Sequence, residues 1–161
     1  MPAVQQELLE KVTAVGKPVV LVLMTGRPLD ISWAASHVPG ILNVWYPGTE
    51  GGHAVANLLM GDADPSGHLP LTWPRSVGQV PIFYNTNLTQ IPNDTAHRYW
   101  DAPSTPLYPF GFGLSYASFT IGDLNVSGSK VHAGAPLQVS SNPTTRSSTV
   151  PPCAEIRKLI G

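Results

Sequence analysis

The sequence predicts an α/β fold: part of a parallel-sheet sandwich, followed by a long Pro/aromatic-rich wrap, a β-strand and a disordered C-terminal tail. Three observations carry this prediction. Residues 19–24 (Val-Val-Leu-Val-Leu-Met) are an unbroken apolar run without alternation, the pattern of a parallel strand covered by helices on both faces. A second apolar run, residues 41–46, leads through turn residues into a helical stretch, residues 53–60. An amphipathic segment precedes the first run. Two successive units of helix, strand and connection imply right-handed crossovers and a parallel sheet. Only about three strands can be found where a doubly wound sheet has about five or six. The sheet therefore reads as incomplete at its amino end.

Val4, Leu8, Leu9, Val12 and Val15 share one helical face, and Glu7, Glu10 and Lys11 lie off it. Residues 3–15 are predicted as a helix ended by Gly16. After the first strand, Thr25-Gly26-Arg27-Pro28-Leu29 forms a loop at a strand's carboxyl end, where open α/β sheets place ligands. Arg27 is its one charged side chain. It suits an anion or a partner domain, or simply the surface. Residues 32–37 are expected to make one or two helical turns.

Trp45-Tyr46-Pro47-Gly48-Thr49-Glu50-Gly51-Gly52-His53 reads as strand, tight turn, helix. Proline lacks the ladder N–H, and glycine accepts positive φ. Glu50 is expected to cap the new helix, whose N-terminus favours negative charge. Asp62 and Asp64, in the turn at residues 61–67, are explained by side-chain-to-backbone turn bonds rather than acid/base chemistry or a metal. Residues 69–73 are predicted as a short strand, at an edge because of Pro70.

Residues 74–109 carry prolines at 74, 81, 92, 103, 106 and 109, interleaved with aromatics. So long a stretch without elements is either an ordered wrap or a functional loop. Gly113-Leu114-Ser115-Tyr116-Ala117 grazes the serine-hydrolase elbow. It lacks the preceding buried strand and the following helix, so it is dismissed. Residues 119–121 and 124–126 alternate as a half-buried strand does. Residues 137–161 are rich in Ser, Thr and Pro, show no strand pattern, and are read as disordered apart from a possible helical stub at 155–160.

Charged residues are 12% of the chain, about half the usual share. The net charge is -1 with no basic run, which argues against nucleic acid. Cys153 is the only cysteine, so neither an internal disulfide nor a cysteine metal site is expected. The five histidines are scattered, and no cofactor or metal is expected. No segment approaches the about 20 apolar residues of a membrane span, and the N-terminus has no signal-peptide pattern.

Six segments, in order through about residue 126, resemble glycoside hydrolase family 3 of the β-glucosidase/β-xylosidase type. They are residues 17–28, 45–52, 61–70 and 74–81, then Arg98-Tyr99-Trp100-Asp101, then residues 107–116. Within the family the likeness is closest to the bacterial periplasmic β-glucosidases. The resemblance implies a barrel, then an α/β sandwich, then often a fibronectin-III-like domain. On that frame residues 1–80 are part of the sandwich domain and residues 81–117 its irregular wrap. Residues 118–136 open a fibronectin-III-like domain, and residues 137–161 are a disordered or non-family tail. A truncated or frameshifted gene would explain both ends.

The family's retaining mechanism needs an Asp nucleophile on the barrel and a Glu acid/base, about 5–5.5 Å apart across the scissile bond. The first has no counterpart in this chain. The second falls in the family upstream of the helix matching residues 3–15, and Glu7, Glu10 and Glu50 do not match it. No catalytic residue is assigned. Arg98, Tyr99, Trp100 and Asp101 are candidates for sugar contact by stacking and hydroxyl anchoring, with packing of the wrap as the alternative. The resemblance implies a β-glucoside or oligosaccharide substrate only together with the missing barrel, and a periplasmic or secreted location. Three functional readings stand: an inactive fragment of a β-glucosidase-type hydrolase, a non-catalytic carbohydrate-binding or scaffold module docking on a separate barrel, and an unstable remnant. The sequons at Asn87, Asn93 and Asn125 matter only in a eukaryotic secretory pathway.

Overall fold

The computed structural model describes residues 1–85, 103–128, 130 and 132–147, with backbone alone at 146 and 147. The elements are α1 (Ala3–Thr13), β1 (Val20–Leu23), α2 (Ser32–His37), β2 (Gly40–Asn43) and α3 (Gly51–Met60). A single 3-10 turn (Val77–Gln79), β3 (Ala117–Val126) and β4 (Val139–Ser147) follow. The architecture is α/β, with one small parallel and one small antiparallel sheet.

β1 and β2 pair in parallel, from Val20 opposite Gly40 to Leu23 opposite Asn43. The crossover between them carries α2, as the strand–helix–strand pattern requires. The core gathers Leu9, Leu23, Ile31, Ala34, Val38, Ile41, Leu69 and Trp73. One side chain from α1, the crossover and both strands meet there, closed by Trp73 from the loop after α3.

Several expectations are corrected. β2 is buried along its whole length, but β1 is fully buried only at Leu23. Double coverage thus holds for one strand of the two. The apolar face of α1 is mostly open: Leu9 is buried, whereas Val4 is 78% and Leu8 61% exposed. The helix offers a wider stripe than the two-stranded sheet can cover. The second strand stops at Asn43 rather than Tyr46. Trp45 has φ +49, a left-handed conformation that breaks the ladder.

Residues 69–73 do not form a regular strand; only the isolated bridge Trp73–Tyr108 is present. The segment still pairs intermittently with the wrap. Leu69 N–H donates to the Phe112 carbonyl at 2.8 Å, and Gly111 N–H donates back to the Leu69 carbonyl at 2.9 Å. Pro70 has no N–H to give, which limits the ladder.

The tail expectation is overturned over residues 139–147, which form β4 and pair antiparallel with β3. Ser and Thr runs accept a partner strand readily when the β-branched residues among them are aligned, here Val139, Thr144 and Thr145. A bulge between Gly122 and Asn125 inserts one residue into β3 and is marked by Asp123 at φ +51. It shifts the alternation so that Phe119, Ile121 and Val126 share one face with Val139. The helical stub at 155–160 lies outside the described residues. No helix among the described residues is long and apolar enough to cross a membrane.

Candidate functional site

The loop after β1 is the first place to look for chemistry. Thr25 closes it as a side-chain turn: its hydroxyl donates to the Arg27 carbonyl at 2.8 Å and accepts the Arg27 N–H at 3.4 Å. Gly26 packs against Tyr46: a Cβ there would lie 2.9 Å from its ring carbons, so a larger residue would displace that exposed ring. The Leu29 carbonyl accepts the Trp73 indole N–H at 2.8 Å. The loop is therefore tied to both the turn after β2 and the core tryptophan.

Arg27 and Pro28 form one wall of an open apolar groove of about 480 Å³. Pro70, Leu71, Thr72 and Pro74 supply the floor side, and Ile82, Phe83, Tyr84 and Phe110 the aromatic side. Tyr84 and Phe110 stack with ring centroids 4.5 Å apart. The Arg27 guanidinium has no partner among the described residues and is the one charge on the rim. Such a groove can hold a flat apolar face beside one anionic or hydroxyl-bearing edge.

A polar clasp lies next in sequence to the groove-lining segments 72–74 and 80–84. Gln79, 4% exposed, accepts the Arg75 N–H at 2.7 Å and donates to the Pro103 carbonyl at 2.9 Å. Arg75 donates through Nε to the Thr105 carbonyl at 2.9 Å, and its own carbonyl accepts from the Ser32 hydroxyl at 2.5 Å. This holds residues 103–105 against the body. Neither residue stood out in the sequence as a structural group. The one available signal was a glutamine set among apolar residues and prolines.

Five of the carboxylates, Glu7, Glu10, Asp30, Glu50 and Asp64, are engaged by neighbouring groups. Glu7 pairs with Lys11 at 2.7 Å, and Glu10 accepts from Gln6 at 2.8 Å. Asp30 accepts the Ser32 N–H at 3.1 Å. Glu50 does not cap α3 through its side chain; its Oε2 lies 2.8 Å from His53 Nδ1 instead. The tight turn itself holds, since a Cβ on Gly51 would fall 2.6 Å from Pro47. The local turn bonds expected of Asp62 and Asp64 are not formed among the described residues; Asp64 accepts from Ser115 and Tyr116 across the chain instead. Among the described residues no three His, Cys, Asp or Glu side chains converge on a metal-sized site. Arg98, Tyr99, Trp100 and Asp101 lie outside the described residues.

Asn43 was missed by sequence reasoning. It ends β2, is 3% exposed, and both its side-chain polar atoms lack a hydrogen-bond partner among the described residues. An orphaned buried amide costs about 1–3 kcal/mol. Asn43→Leu, close in volume, is expected to stabilise the chain by about 1 kcal/mol, read as a higher urea midpoint. A lower midpoint would show that the amide is engaged.

Residues 1–116 match the Glycosyl hydrolase family 3 C-terminal domain. The periplasmic beta-glucosidase of Salmonella typhimurium is 47% identical over 133 residues, covering 79% of this chain and 17% of that protein. A beta-xylosidase of Formosa agariphila is 43% identical over 137 residues, covering 85% of this chain and 19% of that protein. Among solved structures, a β-glucosidase from Listeria innocua in complex with isofagomine superposes with a TM-score of 0.70 at 40% identity, covering 78% of this chain and 19% of that one. A β-glucosidase from Erythrobacter marinus gives 0.68 at 45% identity, covering 84% and 17%. The chain thus spans less than a fifth of the relatives' length. With its α/β body, its parallel strand pair and this match over most of its length, the chain belongs to glycosyl hydrolase family 3, in the region of that family's C-terminal domain.

Proposed function

We propose that this chain is part of the α/β layer of a retaining β-glucosidase-type hydrolase, an enzyme that removes terminal non-reducing β-D-glycosyl units. On this reading it carries neither of the two carboxyl groups the reaction needs. The observation that supports it is the match of residues 1–116 to the family's C-terminal domain. The local engagement of Glu7, Glu10, Asp30, Glu50 and Asp64 agrees with it. Double displacement requires a nucleophilic carboxylate and a protonated carboxyl group facing each other across the bond. Carboxylates held in helix-surface pairs and turns have no such geometry.

Residues 1–80 are taken as the sandwich portion and residues 81–117 as its wrap. Residues 118–136, with β3, are taken as the opening of a fibronectin-III-like domain, in keeping with an antiparallel pair that has one apolar face. A β-glucoside or oligosaccharide would be the substrate once a barrel is present, and the name of the Salmonella typhimurium relative supports a periplasmic or secreted location. The test is hydrolysis of p-nitrophenyl β-D-glucoside. The expected rate equals the no-protein blank; turnover that survives repurification overturns the reading.

A second reading, a non-catalytic carbohydrate-binding or scaffold module, is favoured by the groove with its Tyr84–Phe110 stack. Aromatic faces of this kind pack on sugar rings. Residues Arg98, Tyr99, Trp100 and Asp101 are its further candidates. Titration with cellobiose should move the NMR signals of Tyr84 and Phe110 if this reading holds. Unmoved signals at high sugar concentration reject it.

A further inference from the structure

We propose that Asp64 latches the β3–β4 hairpin onto the α/β body, and that without its carboxylate the hairpin becomes an independently moving arm. Apolar burial does not anchor the hairpin among the described residues. No described residue of β3 or β4 is fully buried; Phe119 is 66% and Ile121 77% exposed. At the root, Asp64 gathers two of the bonds to the body, and Tyr116 adds another. Asp64 Oδ2 accepts from the Ser115 hydroxyl at 2.6 Å, and Oδ1 accepts the Tyr116 N–H at 2.7 Å. The same Ser115 oxygen accepts the Ala117 N–H at 2.9 Å, so the carboxylate reaches the first residue of β3 through one hydroxyl. The Tyr116 hydroxyl donates to the Leu58 carbonyl of α3 at 2.7 Å.

Two glycines frame the latch. Gly61 ends α3 with φ +83, which aims the chain back towards the loop. Gly113 sits so close to the turn that a Cβ would lie 2.6 Å from the Gly67 carbonyl oxygen. The turn and the loop are therefore in backbone contact, and the carboxylate bonds seal that contact. Around Asp64, its own turn carries Asp62 and His68 as titratable groups, the facing loop carries Tyr116, and α3 offers the Leu58 carbonyl. Slight burial opposes ionisation of Asp64. The bonds from Ser115 and from the Tyr116 and Ala117 N–H groups outweigh it and hold the carboxyl below its ordinary value of 3.8. A lowered carboxyl pKa stabilises the folded form above the ordinary value, and that contribution is lost as pH falls through the folded value. The latch thus stays closed at neutral pH and weakens as pH falls through the lowered folded value.

Amide hydrogen exchange on the 161-residue chain tests this, comparing wild type with Asp64→Asn, Asp64→Ala and Ser115→Ala. Bonds to a charged acceptor are about twice as strong as neutral ones, so in Asp64→Asn exchange at residues 116–120 should rise about tenfold. Exchange at residues 21–23 and 41–43 should be unchanged. In wild type the Tyr116 amide shift should follow a carboxyl titration below pH 3.8 that Asp64→Asn abolishes. Unchanged exchange at residues 116–117 in both Asp64 variants overturns the proposal. Equal loss of protection in both sets of amides also overturns it, since Asp64 would then support the whole body and not the hairpin.

Discussion

Replacing Trp73 with alanine is expected to cost about 3–5 kcal/mol of stability, the usual range for deleting a buried large aromatic. Trp73 is 0% exposed and is the largest side chain in the core. It does three things at once. Its indole N–H donates to the Leu29 carbonyl at 2.8 Å, fixing the loop after β1. Its backbone N–H and carbonyl pair with Tyr108 and Leu107, each at 2.9 Å, fixing the wrap. Its ring lies tilted against Trp45, centroids 6.0 Å apart, fixing the turn after β2. Domains of this size are stable by only about 5–15 kcal/mol, and a chain whose α1 face is open sits low in that range. Trp73→Phe separates the roles: it keeps most of the ring and orphans the Leu29 carbonyl, for a loss of about 1–3 kcal/mol. Urea unfolding of both variants measures the difference. An unchanged midpoint for Trp73→Ala would show that the core lies elsewhere.

Gln79→Leu is expected to lose about 1–3 kcal/mol, because the buried amide goes and two part-buried groups lose it as their partner. These are the Arg75 N–H and the Pro103 carbonyl, bonded to the amide at 2.7 and 2.9 Å. Volume is nearly conserved, so cavity formation does not confuse the result. The local consequence is larger than the global one. With Gln79 gone, residues 103–105 keep only the Arg75 bonds to Thr105 in this clasp. Limited proteolysis should cut the variant near residue 103 well before the wild type. Gln79→Glu should fall between the two, and its Oε1 still accepts the Arg75 N–H. Equal cleavage rates in all three chains would remove Gln79 from any holding role.

The parallel pair was legible because residues 19–24 and 41–46 are apolar without alternation, which few other structures require. The turn at Gly51 was legible from proline and glycine chemistry, whereas the expected Glu50 cap was not formed. The extent of coverage was not legible. Periodicity in α1 reports which residues can be buried, not whether a partner layer exists, and Val4 and Leu8 remain exposed. β4 was hidden for a different reason. Its order comes from pairing with β3, and Pro143 together with the Ser/Thr composition masks any alternation. The bulge at Asp123 hid the single apolar face of β3 by changing the phase of its pattern midway. Asp64 was expected to bond within its own turn, but its partners stand 51 and 52 positions away, a distance no local pattern reports. Gln79 and Asn43 are polar groups at buried positions, where burial depends on the tertiary fold.

The most direct measurement is covalent trapping. A retaining hydrolase passes through a glycosyl–carboxylate ester, and a 2-deoxy-2-fluoroglucoside with a good leaving group arrests it there. Incubation of the 161-residue chain with this reagent, followed by intact mass measurement, should show the unmodified mass at every time point. One added fluoroglucosyl unit, mapped to an Asp or Glu of this chain, would contradict the account.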